Sequence, residues 1–228
     1  MMTSKGGEML KVLVIAPHPD DETLGAGGTL LRHIAGGDEV YWCIVTHAFA
    51  DSADDYRQCR INVIEKVNEA YGFKGYFLLD FPAAGLDTVP RKTIIDALFS
   101  IFHKVKPDTV YCVGNGDVNT DHDVIYEALM AAAKPAYVPF LKEILLYEVI
   151  SSTNWAFPVK SALFLPNVFV DISGFIMRKL EIIALYGEEI KGPPHPRSIE
   201  ILKSWGKVRG SAMNVEYAEV FHLARKII

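Results

Sequence analysis

Lys11-Val12-Leu13-Val14-Ile15-Ala16-Pro17-His18-Pro19-Asp20-Asp21-Glu22-Thr23-Leu24 is the stretch that decides the fold. Lys11 to Ala16 is short and almost wholly apolar, the pattern of a buried strand. From about Glu22 to Ala35, Leu24, Leu30, Leu31 and Ile34 keep helical spacing, and Gly36-Gly37 ends the run as a C-cap should. A buried strand passing through a polar turn into a helix is the repeating unit of an open α/β sheet. Ligands bind such sheets at the carboxyl ends of the strands. The turn here gathers one imidazole and the carboxylates of Asp20, Asp21 and Glu22. Unpaired buried charge is costly, and a metal ion is the simplest compensation.

Working outward, the same alternation repeats. Glu39 to Thr46 reads as a second strand and Tyr56 to Tyr71 as a helix with Ile61, Ile64, Val67 and Tyr71 on one face. Gly75 to Leu79 reads as a third strand, Asp80 to Thr88 as a loop, and Pro90 to Lys106 as a helix with proline in its first turn. Asp108 to Val113 is a fourth strand, followed by the polar turn Gly114 to His122 and a helix to about Lys134. The last third is less regular: strands over Glu143 to Ile150 and Asn167 to Ile172, a helix over Phe175 to Tyr186, and a proline-punctuated loop, Gly192 to Ser198. Ser198 is placed to cap a helix running toward Gly206. The expected fold is α/β, a Rossmann-like three-layer sandwich with a mostly parallel sheet and an elaborated C-terminal part. One domain over 1–228 is expected, with residues up to about Glu8 a disordered start.

Half of the 228 residues are hydrophobic, enough for a sizeable core. The net charge of -5 and the absence of a basic block argue against a nucleic-acid surface. Cys43 and Cys112 sit in apolar strand-like runs as core filler, and no cysteine pair has a bridging pattern, which fits a reducing compartment. The N-terminus lacks the apolar core of a signal peptide. No apolar run reaches the roughly 18 residues of a membrane span. The expectation is a cytoplasmic protein without a transmembrane segment, acting on a small molecule.

His18 and Asp21 flank a two-residue gap at a strand end, where a sharp turn can aim both at one point. Imidazole and carboxylate suit Zn²⁺, Fe²⁺ or a similar ion. Asp20 points elsewhere than its neighbour and can serve a water as base. The alternative is that the three acids merely favour a helix N-terminus, which leaves the histidine unexplained. A catalytic zinc has three protein ligands and an open position. His122, in the turn after the fourth strand, is the third candidate, although Asn119, Thr120 and Asp121 also read as an N-cap cluster. Gly25-Ala26-Gly27-Gly28 lacks the spacing of a dinucleotide loop.

Ala16-Pro17-His18-Pro19-Asp20-Asp21-Glu22 resembles the signature of the LmbE/PIG-L family of zinc-dependent N-deacetylases. Asp117-Val118-Asn119-Thr120-Asp121-His122 resembles the family's second motif. His195-Pro196-Arg197-Ser198, Arg209-Gly210 and Ala218-Glu219-Val220-Phe221 resemble its C-terminal pattern. The resemblance implies zinc held by His18, Asp21 and His122, with Asp20 as general base, and an N-acetylated amino sugar or conjugate as substrate. It implies substrate contacts from Arg60 on the second helix and from Asp87 after the third strand. Many members carry histidine where this chain has Asn119. Asparagine can donate a hydrogen bond to substrate but cannot shuttle a proton, so His195 is the candidate for that role. The family also suggests a homo-oligomer, a trimer or hexamer. Two other readings stay open at this point: an Fe(II)-dependent oxygenase, which also uses two histidines and a carboxylate, and a non-catalytic sugar- or nucleotide-binding module.

Overall fold

The computed structural model describes residues 8–49, 51–156 and 163–228. The start expected to be disordered, apart from Glu8, lies outside the described residues, as does Phe157, an aromatic residue of the irregular last third.

Strand β1 (Lys11–Ala16) is the centre of the molecule. It pairs in parallel with β2 (Glu39–Ala48) on one side and β4 (Thr109–Val113) on the other. Val12 through Ala16 are wholly buried, which explains the absence of any polar alternation in that strand. With β3 (Gly75–Pro82), β5 (Glu143–Tyr147), β6 (Val168–Asp171) and β7 (Ala218–Lys226), the sheet has seven strands among the described residues, in the order β3-β2-β1-β4-β5-β7-β6. The first five strands run parallel. β7 is antiparallel to both β5 and β6.

The helices are α1 (Asp21–Gly36), α2 (Asp54–Tyr71), α3 (Arg91–Val105), α4 (Thr120–Ala132), α5 (Ile176–Ile183) and α6 (Ile199–Ser211). α1 and α2 pack with α5, and α5 with α6, while α3 pairs with α4. Right-handed crossovers put these two groups on opposite faces of the sheet. The chain leaves β1 toward β2 and β3, then returns to lay β4 on the other side of β1. The crevice beyond the carboxyl ends of β1 and β4 is therefore the topological switch point, and both candidate histidine turns open into it.

Most of the expected elements are present, with informative differences. β3 runs on to Pro82, through residues whose sequence reads as loop. The helix after the fourth strand starts at Thr120, so His122 stands in its first turn rather than in a loop. The helix expected to reach Tyr186 ends at Ile183 and continues as a 3₁₀ segment, Ala184–Glu189. β7 is an addition to the expected strands: its residues read as a short motif, because a strand wedged between two others draws its stability from partners far away in sequence.

α1 is buried along its first eleven positions, Asp21 to Leu31. Its glycines serve packing. A Cβ on Gly25 would lie 2.2 Å from Tyr147, and one on Gly28 would lie 2.8 Å from Ile172. An ion pair is set against this helix from elsewhere. Glu219 of β7 accepts from the Gly28 and Thr29 amides at 2.8 and 2.7 Å, and Lys179 of α5 donates to Glu219 at 2.7 Å and to the Leu24 carbonyl at 2.9 Å.

Candidate metal centre

Beyond β1 the chain turns through Pro17-His18-Pro19. Thr46 anchors the turn, donating its amide and its hydroxyl to the Pro17 carbonyl at 3.0 and 2.9 Å. Asp20 takes a positive φ of 128°, unusual for a residue with a side chain. The His18 amide donates to Asp21 Oδ2 at 2.9 Å, fixing that carboxylate as α1 begins. On the other side of the crevice, Asn119 Oδ1 accepts from the Asp121 amide at 3.0 Å and caps α4. The cap sets the first helical turn so that His122 faces Asp21.

Three ligand atoms converge. His18 Nδ1 lies 3.2 Å and His122 Nε2 lies 3.3 Å from Asp21 Oδ2, and the ligand atoms of the trio all fall within 4.8 Å of one another. Asp21 is wholly buried, His122 is 1% exposed, and His18 faces the cleft. Each histidine uses its other nitrogen on a second carboxylate. His18 Nε2 meets Asp121 Oδ2 at 3.0 Å, and His122 Nδ1 meets Asp117 Oδ2 at 2.6 Å. Asp121 is itself held by the amides of Ala84 and Leu86 at 2.7 and 3.1 Å. A carboxylate can only accept, so His122 carries a proton on Nδ1. Carboxylates behind ligand histidines are the usual outer support of a metal site.

Among the described residues, Asp21 Oδ1 and His122 Nε2 are buried without a hydrogen-bond partner. The 3.3 Å approach of His122 to Asp21 is close enough for charge attraction but not aligned as a hydrogen bond. Burial opposes protonation of both histidines, yet the surrounding carboxylates reverse this. Asp121 and Asp21 bring His18 up to about 9, and Asp21 and Asp117 bring His122 up to about 10. Burial likewise opposes ionisation of Asp21, but His122 and His18 hold it well below the usual carboxylate range. Two imidazole nitrogens and a carboxylate, gathered in a pocket that favours positive charge with His122 Nε2 and Asp21 Oδ1 orphaned and His18 Nδ1 on Asp21 Oδ2 at 3.2 Å, fit a divalent cation.

Asp20 stands beside this trio, 2% exposed. Its Oδ2 accepts from Arg197 at 2.7 Å, while Oδ1 has no partner among the described residues. Burial pushes Asp20 up to about 7, with the Arg197 charge opposing. Glu22, also pushed to about 7 by burial, is tied to Thr23 and Tyr186 and faces the interior.

Two cavities, of about 490 and 240 Å³, meet over the trio and share His18, Ala84, Asn119, Glu189 and Arg197 as walls. His195 lines the larger, edge-on to the exposed Trp155 ring. Its Nδ1 accepts from the Arg197 amide at 3.1 Å, so the neutral ring carries its proton on Nε2. Arg60 and His47 line the smaller, where Arg60 pairs with Glu189 at 3.2 Å. Asn119 lines both, with Oδ1 committed to the cap and its amide nitrogen left as the end that can donate. Asp87 is different. It lies exposed on a 3₁₀ turn, Leu86–Thr88, and lines neither cavity. The acid that this neighbourhood holds against the trio is Asp121, buried behind His18 Nε2 and gripped by the Ala84 and Leu86 amides.

His33, His103 and His222 lie away from the cleft, on Asp38 and Tyr111, on Phe99, and on the Leu165 carbonyl respectively. Cys43 and Cys112 are buried core residues. Sequence reasoning assigns no role to Arg197, Asp117, Asp121 or Glu189. The first three lie inside stretches quoted as motifs. Glu189 carries no local signal.

A family model described as "PIG-L: GlcNAc-PI de-N-acetylase" matches residues 13–133, more than half of the chain and inclusive of both histidine turns. The chain belongs to the PIG-L family. It is an N-deacetylase of the PIG-L type, an amidohydrolase. Among solved structures, it resembles N,N'-diacetylchitobiose deacetylase from Pyrococcus horikoshii at 20% identity, covering 94% of this chain and 84% of that one, with a TM-score of 0.73. A conserved protein of Thermus thermophilus is 25% identical over 96% of this chain and 97% of that one, with a TM-score of 0.74. A 4-carboxy-2-hydroxymuconate hydratase from Pseudomonas putida, 17% identical, covers 96% and 98% with a TM-score of 0.73. The PIG-L fold thus also carries a hydratase, and the site rather than the fold must specify the reaction.

Proposed function

We propose that this chain removes the N-acetyl group from an amino sugar or amino-sugar conjugate, with Zn²⁺ as the native ion. In this reading His18, Asp21 and His122 hold the ion, Asp20 is the general base, and the whole chain, 1–228, acts as one domain. The observation that carries it is the orphaned Asp20 Oδ1 beside three convergent ligand atoms whose histidines are each backed by an acid. The sugar follows from the family description and from the chitobiose-acting neighbour.

A divalent cation supplies Lewis acidity at the amide carbonyl. Asp20 accepts through Oδ1 the proton of a water as the water oxygen bonds to the acyl carbon. The same carboxyl then returns that proton to the nitrogen as the C–N bond breaks, giving free amine and acetic acid, which ionises to acetate. The amide of Asn119 and the Nε2–H of His195 are donors in the cleft wall for the acyl oxygen or the departing amine. Arg60 closes the smaller cavity and supplies a cation for substrate hydroxyl or acid groups.

The test is metal analysis of the purified protein with acetate and amine release from N-acetylglucosamine, N,N'-diacetylchitobiose and lipid- and nucleotide-linked N-acetylglucosamine. Release that survives in anaerobic buffer excludes the oxygenase reading. Asp20→Asn is expected to keep metal and lose most turnover. Hydration of an unsaturated acid without amine release, or undiminished turnover in Asp20→Asn, overturns the proposal.

A further inference from the structure

We infer that Arg197 is a positioning residue: it holds one oxygen of Asp20 so that the other is presented to the reacting water. The inference rests on the assignment of Asp20 as base.

Arg197 reaches Asp20 across 177 residues of sequence. Its NH1 donates to Asp20 Oδ2 at 2.7 Å, its Nε donates to Ser151 Oγ at 2.8 Å, and Glu189 Oε2 lies 3.4 Å from NH1. The guanidinium therefore has three anchors on three separate segments, and a planar fork with three anchors has little freedom to rotate. Two of them are unusual backbone positions. Asp20 has φ 128° and Ser151 has φ 84°, and neither is glycine. Such conformations persist where the surroundings over-determine them and they concentrate at functional sites. Here one side chain is bonded to both.

The consequence falls on the carboxylate. Arg197 occupies Oδ2, leaving Oδ1 buried and without a partner among the described residues. A carboxylate free to rotate about χ2 would spread its two oxygens over a range of angles. A pinned one keeps a single oxygen available. Ser198, the next residue, starts α6 and is 1% exposed, with its hydroxyl accepting from the Ile201 amide at 3.3 Å. A capped helix start thus follows directly after the guanidinium, and this side chain ties the C-terminal third of the chain to the base.

The experiment is a double-mutant cycle of Arg197→Ala with Asp20→Asn, together with a crystal structure of Arg197→Ala. A misplacement of about 1 Å is enough to cost about 10²-fold in rate. Arg197→Ala is therefore expected to lower kcat about 10²-fold with metal content unchanged. In the Asp20→Asn background the same change should cost under about threefold, because a residue acting through Asp20 has nothing left to position. Added guanidinium should restore part of the rate in Arg197→Ala but not in the double variant. In the crystal structure, Oδ1 of Asp20 should shift by about 1 Å or more.

Equal losses in both backgrounds would mean that Arg197 touches substrate directly, and would overturn the inference. So would an unmoved Asp20 carboxylate or an unchanged kcat. Where Arg197→Ala does not fold, Arg197→Lys carries the same cycle, keeping the charge but losing the second arm. Wild-type turnover in Asp20→Asn alone removes the base assignment instead, and the crystallographic shift still decides whether Arg197 holds the carboxylate.

Discussion

Replacing Glu219 by leucine should destabilise the protein severely although Glu219 lies outside the cleft. The side chain is 5% exposed, and its two oxygens accept four bonds, from the Gly28 and Thr29 amides, the Thr29 hydroxyl and Lys179 Nζ, all at 2.7 to 2.8 Å. Leucine satisfies none of them. It leaves the Lys179 ammonium, 7% exposed, with only the Leu24 carbonyl at 2.9 Å. Removing one partner of a buried ion pair costs about 3–5 kcal/mol. For a chain of this size each kcal/mol moves Tm by about 2–4 °C, so the expected fall is roughly 6–20 °C. The double variant Lys179→Met, Glu219→Leu should recover much of this. With both charges gone, the Leu24 carbonyl and the Gly28 amide can serve each other as ordinary helical partners. The expected coupling between the two changes is about 2 kcal/mol, of a sign that makes the double variant more stable than the sum. Thermal and urea unfolding followed by circular dichroism measures all four corners of the cycle. A fall in Tm below about 2 °C for Glu219→Leu, or strict additivity, would refute the reasoning.

Other expectations are sharper about the cleft. Asp117→Asn weakens the support of His122 Nδ1, and zinc affinity should drop about 10- to 100-fold in a chelator competition while Tm of the metal-free protein moves little. An unchanged affinity would show that Asp117 does not orient the ligand. Metal affinity should also rise with pH. His18 and His122, raised to about 9 and about 10 without a cation, hold protons that binding must expel. Going down from pH 8 to pH 6 should therefore weaken binding by up to about tenfold per pH unit for each proton released; a flat profile in isothermal titration would contradict the assignment. Gly25→Ala places a methyl 2.2 Å from Tyr147 and 2.7 Å from the Glu148 carbonyl. It should cost about 1–3 kcal/mol or more in urea unfolding, and wild-type stability would mean that α1 is free to move away.

The β-α alternation, the buried first strand and the His18–Asp21 pair could all be read from the chain itself. Each rests on neighbours a few residues apart: apolar spacing, a glycine C-cap, a polar turn after a strand. The same locality made His122 readable, because Asn119 sets the helix that aims it. What the sequence left open shares one cause. The insertion of β7 between β5 and β6, the grip of Arg197 on Asp20 and the Lys179–Glu219 pair against α1 all join segments with no common periodicity, and Asp87, expected on substrate, instead lies exposed on its 3₁₀ turn. Local propensity is a property of short windows, whereas partners far apart along the chain are chosen by how whole layers pack. Only the folded sheet brings such residues within reach of one another, so only the tertiary structure could decide which acid is held, which is free, and which faces water.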